Sequence, residues 1–163
     1  MAAEAGDVIP MKFVPLVAAL TLAMPSMAMA DSDLTGPAAK AVAKWFTTDR
    51  SLNCYDRQGS ESGCRLDADS NVFVKYAPAG DTAVAFATYV NDPTGNAEMF
   101  AVAIFRQAVD GWRFVRNVPG LGGRLAKNVA FRGDKVGFDT EVWRKGDGHC
   151  CPTGVKHWTV SLR

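Results

Sequence analysis

The chain is poor in the residues that many catalysts depend on. Two histidines and four cysteines are all that 163 residues contain. No Cys-x-x-Cys occurs, so the dithiol motif of thioredoxin-type oxidoreductases is missing. No serine occupies a Gly-x-Ser-x-Gly elbow, and no glycine-rich loop closes on Gly-Lys-Ser/Thr. Charge of one sign is lacking too. Lys and Arg number 18 against 17 Asp and Glu, a net charge of +1 with no basic cluster, which makes nucleic acid and anionic membrane poor partners. No apolar run is long enough to span a bilayer.

What is present begins with a leader. From Met11 the chain has a basic residue (Lys12), an apolar stretch over Phe13 to Met24, a break at Pro25, and small residues at Ala28 and Ala30. That order predicts a cleavable secretory signal ending at Ala30. Residues 1–10 read as an upstream extension, because Glu4 and Asp7 carry the wrong charge for a signal's basic start. Residues 31–163 then form one expected domain, periplasmic or secreted. Removing Lys12, Glu4 and Asp7 leaves it 17 basic and 15 acidic residues. Its size is ordinary for a domain with its own core.

Export places the cysteines where thiols oxidise, and an even count is first read as disulfides. Cys54 and Cys64 enclose a short polar loop that could close on itself. Cys150 and Cys151 would then be left to each other or to a metal, and crossed pairing of the two groups is the competing arrangement.

Along the mature stretch, Ala38, Ala41, Val42, Trp45 and Phe46 recur at helical spacing, with Lys40 and Lys44 turned away. This predicts a helix over 37–50, with Thr35 as its cap and Pro37 in its first turn. The period then changes to two. Val72, Val74 and Tyr76 alternate, Thr82 to Val90 reads as a strand buried on both faces, and Met99 to Gln107 as another apolar strand. Asp110-Gly111 marks a hairpin whose returning strand turns Trp112, Phe114 and Val118 inward, with Arg116 on that face near the strand end. Strands follow over 127–132, 136–144 and 155–162. Short connections favour antiparallel neighbours. The expected fold is α+β: one N-terminal helix packed on a curved antiparallel sheet or half-open barrel of about seven strands.

Three places could carry chemistry. His149, Cys150, Cys151 and His157 combine soft sulfur with imidazole, the ligand set of Zn(II) or Cu(I), although adjacent side chains cannot easily present two thiolates to one ion. A Cys150–Cys151 vicinal disulfide is the other sharp reading of the same stretch, as a redox-active pair or a rigid turn. Gly120, Gly122, Gly123 and Arg124 could cradle an anion, against the plainer reading of a flexible connection. Asp139 and Glu141 share one strand face as a paired carboxylate would, and alternate with apolar residues as a solvated outer face does. No cofactor is implied by any of these.

The run Asp147-Gly148-His149-Cys150-Cys151-Pro152-Thr153 resembles the C-terminal Asp-x-x-Cys-Cys-Pro-Ser signature of small exported bacterial proteins. These include the mycobacterial LppP/LprE-like lipoproteins and related periplasmic proteins of unknown role. This chain has Thr153 in place of Ser and no lipobox cysteine, so no lipid anchor is implied. The resemblance implies a cell-envelope location and no activity. The expected function is a non-enzymatic binding or envelope-associated module, stabilised by disulfides, with an envelope protein or small ligand as partner. The alternative is a thiol or metal sensor at Cys150-Cys151.

Overall fold

The structure, a computed structural model, describes residues 34–148 and 150–163. The expected extension and leader over 1–30 lie outside the described residues.

Helix α1 (Ala39–Thr48) buries Val42, Trp45 and Phe46 on one side. Its start differs from the expected one, because no side chain of its own segment caps it. The cap comes from a distant strand: Ala38 N donates to Tyr76 Oη at 2.9 Å, and that hydroxyl reaches Thr35 O at 3.2 Å. Gly36 lies against this ring, where a Cβ would sit 2.7 Å from the hydroxyl. A cap 38 positions away leaves no local signal.

Beyond a short 3₁₀ turn, β1 (Cys54–Tyr55) and β2 (Glu61–Ser62) form a small hairpin. Strands β3 (Ser70–Tyr76), β4 (Thr82–Val90), β5 (Glu98–Ala108) and β6 (Gly111–Asn117) then pair in sequence order, and β7 (Arg124–Arg132), β8 (Lys135–Val142) and β9 (Gly154–Ser161) form another sheet. Every pairing is antiparallel. The class is α+β. The strands expected in one curved sheet or half-open barrel are divided between two open sheets, parted at the glycine-rich stretch 119–123, with β1 and β2 a third, two-stranded one.

Strand β4 explains the division. Its Ala83, Ala85, Ala87 and Tyr89 join α1 in one core, while Val84 and Phe86 join Val136, Phe138 and Val160 in another. A strand shows alternate residues to opposite faces, so an apolar strand of this kind needs a layer on each side. The layers are α1, the four-stranded sheet, and the three-stranded sheet. Phe86 ties the last two together, edge-on to Phe138 at 5.0 Å and stacked on Phe73 at 5.1 Å.

The inward face expected for Trp112, Phe114 and Val118 is likewise split. Phe105 pairs with Phe114 but Ile104 pairs with Arg116, so Val115 is an extra residue in the ladder. A bulge of this kind reverses the faces beyond it. Trp112 therefore packs with the α1 core, and Val118 with the core between the sheets. Arg116 turns to the second sheet, where its Nη2 donates to Ser161 O at 2.7 Å. Arg106 Nη2 donates to Leu162 O at 2.6 Å, a second tie at the same end. At the other end, Arg124 Nη1 reaches Glu98 Oε2 at 2.8 Å and Leu125 N donates to Thr88 Oγ1 at 3.0 Å. The sheets are pinned at both ends of their shared core.

Candidate functional site

The connection between β8 and β9 carries the paired cysteines. Its base closes tightly, since a Cβ on Gly154 would meet Val142 O at 2.6 Å. Gly146 turns the chain with φ of 98°, a conformation that glycine adopts without steric cost. Asp147 then organises the loop. Its Oδ2 accepts from Arg144 N at 2.7 Å and Thr153 N at 2.8 Å, and its Oδ1 accepts from Thr153 Oγ1 at 2.9 Å. The backbone N–H groups of Arg144 and then Thr153 hold the Asp147 carboxyl below its usual range.

Across this clamp, Cys150 and Cys151 are bonded to each other with Cα atoms 3.8 Å apart. Both are exposed. Cys151 N donates to Gly148 O at 3.1 Å, so the loop beneath the sulfurs is hydrogen-bonded. Oxidised in this way, neither cysteine offers a thiolate. His149 lies outside the described residues. His157 stands on β9, where its Nδ1 is 2.8 Å from Asp139 Oδ1. Among the described residues, no group of three or more His, Cys, Asp or Glu is placed to hold a metal ion.

The other two cysteines serve the frame. Cys54 and Cys64 are bonded with Cα atoms 5.2 Å apart, and each is only 4% exposed within the α1 core. Their loop is docked on the end of the helix: a Cβ on Gly63 would fall 1.7 Å from Thr47 O. Asp56 shapes its tip by accepting from Gln58 N and Ser60 N, both at 2.9 Å.

The glycine-rich stretch is seated on β8. Gly123 has φ of 95° and approaches so closely that a Cβ would lie 2.5 Å from Glu141 O. Thr140 Oγ1 donates to Gly122 O at 2.9 Å and accepts from Trp158 Nε1 at 2.9 Å. Gly120 leads in with φ of 76°. Arg124 donates through Nε to Glu141 Oε2 at 3.1 Å as well as to Glu98. In this arrangement its guanidinium serves two carboxylates.

Those contacts belong to a polar ladder on the outer face of the second sheet. Arg124 pairs with Glu141, Lys127 with Asp139, and Ala130 with Gly137, so β7 places every third residue on this face. Two bulges allow it, with Leu125 at φ 50° and Asn128 at φ 54°. Asparagine tolerates that left-handed conformation better than most residues. Lys127 Nζ reaches Glu141, and Asn128 Nδ2 donates to Asp139 Oδ2 at 2.9 Å. Donation from Asn128 and then His157 holds the Asp139 carboxyl below its usual range. Asp139 and Glu141 thus each stabilise neighbouring donors.

One feature had no forecast in the sequence. Between α1 and the β5–β6 hairpin lies a groove of about 840 Å³, bordered by Lys40, Lys44, Trp112 and Phe114. The helical spacing shows Lys40 and Lys44 on one face, but the strand that meets them across the groove is a tertiary matter. Compared with protein-family models, curated proteins and solved structures, the chain matches none.

Proposed function

We propose that this protein is an exported, non-enzymatic binding module that recognises an envelope component through the loop between β8 and β9. The observation that carries this reading is the Asp147 clamp, which fixes an exposed vicinal disulfide in one shape through three hydrogen bonds. A preformed surface loses less conformational freedom on binding than a loose loop does. Val155, on β9 just after the loop, is 67% exposed and adds an apolar side chain near its base. The leader-like stretch over 11–30 and the cystine content support export. The likeness to exported Cys-Cys-Pro proteins supports the same location, and it gives Asp147 and Thr153 of that signature a structural part.

Site-specific photo-crosslinking tests the reading. A crosslinker at Val155 should trap a defined envelope component, whereas one at the fully exposed Val109 should not. Equal adducts from both positions, or none from Val155, would overturn it.

The exposed Cys150–Cys151 bond supports a second reading, a thiol sensor. An external dithiol would donate two electrons, leaving two cysteine thiols here and a disulfide on the donor. If the bond resists every dithiol at the redox poise of the envelope, this second reading fails.

A further inference from the structure

We propose that the groove between α1 and β6 binds a monomeric acyl carboxylate, with the chain on its aromatic floor and the head between Lys40 and Lys44. This site lies apart from the β8–β9 tip and does not depend on it.

The apolar part is built before any ligand arrives. Trp112 is fixed edge-on against Tyr76 at 5.5 Å, and Phe114 against Phe105 at 5.8 Å. Trp45 stands edge-on to Phe105 at 6.0 Å, and its Nε1 donates to Asn117 Oδ1 at 2.9 Å, which holds the indole in place. Phe114 nevertheless remains 45% exposed. The hairpin register places Trp112 and Phe114 on the α1 side, and the bulge at Val115 turns the strand beyond them to the other core. An aromatic floor held by neighbours but left open is the usual form of a ligand groove.

The charge is equally asymmetric. Of the two carboxylates at this site only Asp110 is paired with a cation, and the three cations bordering the groove (Lys40, Lys44 and Arg113) outnumber its two carboxylates. Asp110 receives Arg113 through Nε at 3.0 Å and Nη2 at 2.6 Å, and Asp49 accepts from Asn117 Nδ2 at 2.8 Å. Lys40 and Lys44 border the same groove and, among the described residues, neither is paired with a carboxylate. Four positions apart on a helix, they sit within about 6 Å of each other, close enough to bracket one anionic head.

The shape selects a chain over a compact ring. The border runs along α1 from Lys40 to Thr48, which at the helical rise is about 12 Å. Its volume is about 840 Å³. A slender chain lying along the helix, with its carboxylate at the two ammonium groups, satisfies both the length and the charge.

The full chain can be tested by following tryptophan emission while dodecanoate is added below its micelle-forming concentration. A saturable one-to-one change is expected, with dodecyltrimethylammonium binding more weakly. The Lys40→Gln/Lys44→Gln variant should weaken dodecanoate by about tenfold, the scale of one lost charge-assisted contact. Both lysines are exposed, so an unchanged melting temperature should accompany that loss. Phe114→Asp should abolish binding. No saturable change, equal affinity for the cationic amphiphile, or wild-type binding by the double lysine variant would overturn the proposal. Flotation with phosphatidylglycerol vesicles in the absence of dodecanoate binding would also overturn it, in favour of a membrane-surface role for α1.

Discussion

Asp147 and Thr153 are joined twice, through the threonine N–H at 2.8 Å and its hydroxyl at 2.9 Å. The vicinal cystine lies between them, within a sequence separation of 6. Asp147→Ala should therefore release the tip, raising amide exchange at Arg144 and Thr153 and opening 145–153 to limited proteolysis. Thr153→Ser keeps both donors and should behave as wild type.

The same clamp has a definite pH dependence. The Asp147 carboxyl is held below its ordinary value, so its contribution is complete above the unfolded carboxylate pKa of about 3.9 and is lost as pH falls through the lower folded value. Amide protection at Thr153 should stay flat from neutral pH to about 4 and decline below it. Loss of protection already at pH 6 would contradict this.

Graded reduction should distinguish the two cystines. Cys150 and Cys151 are exposed, whereas Cys54 and Cys64 are each 4% exposed. A mild dithiol should release two thiols from the folded chain, both mapping to 150 and 151, before the other pair reacts. Simultaneous release of all four would contradict the burial difference.

Stability should follow the opposite order. Cys54 and Cys64 are 10 positions apart, against 1 for the vicinal pair. Closing the longer loop restricts the unfolded chain more, so replacing Cys54 and Cys64 by Ala should cost about 3 kcal/mol in urea unfolding. Replacing Cys150 and Cys151 should cost only about a third to a half of that.

Phe138 tests the layered core. It is fully buried and meets Phe86 from the other sheet. Phe138→Ala should lower stability by about 3–5 kcal/mol, the range for deleting a buried aromatic ring. A loss under about 1 kcal/mol would mean that the sheets are held together chiefly by their end pins.

Much of the architecture was legible because its causes are local. The helical spacing of Val42, Trp45 and Phe46, the unbroken apolar run over 82–90, and the Asp110-Gly111 turn each lie within a few residues. Nearness in the chain likewise made Cys54–Cys64 and Cys150–Cys151 natural alternatives to crossed pairing. The candidate site was legible only in part: the paired cysteines and Asp147 stand together in one signature, but the part Asp147 plays in shaping the loop does not show in it. Asp147 looks like any loop aspartate until the chain returns and brings Thr153 back to it.

The amino-acid order by itself determined the helix and the seven longer strands, though not the short β1 and β2, and that β4 must be covered on both sides, because side-chain period and backbone preference act over one or two turns of chain. Only the tertiary structure decided that α1 covers one face of β4 and a second sheet the other, that Tyr76 caps α1, and that Phe114 borders a groove with Lys40 and Lys44. Those outcomes rest on groups that become neighbours only after the chain has folded back on itself, and no spacing along the polypeptide encodes their meeting.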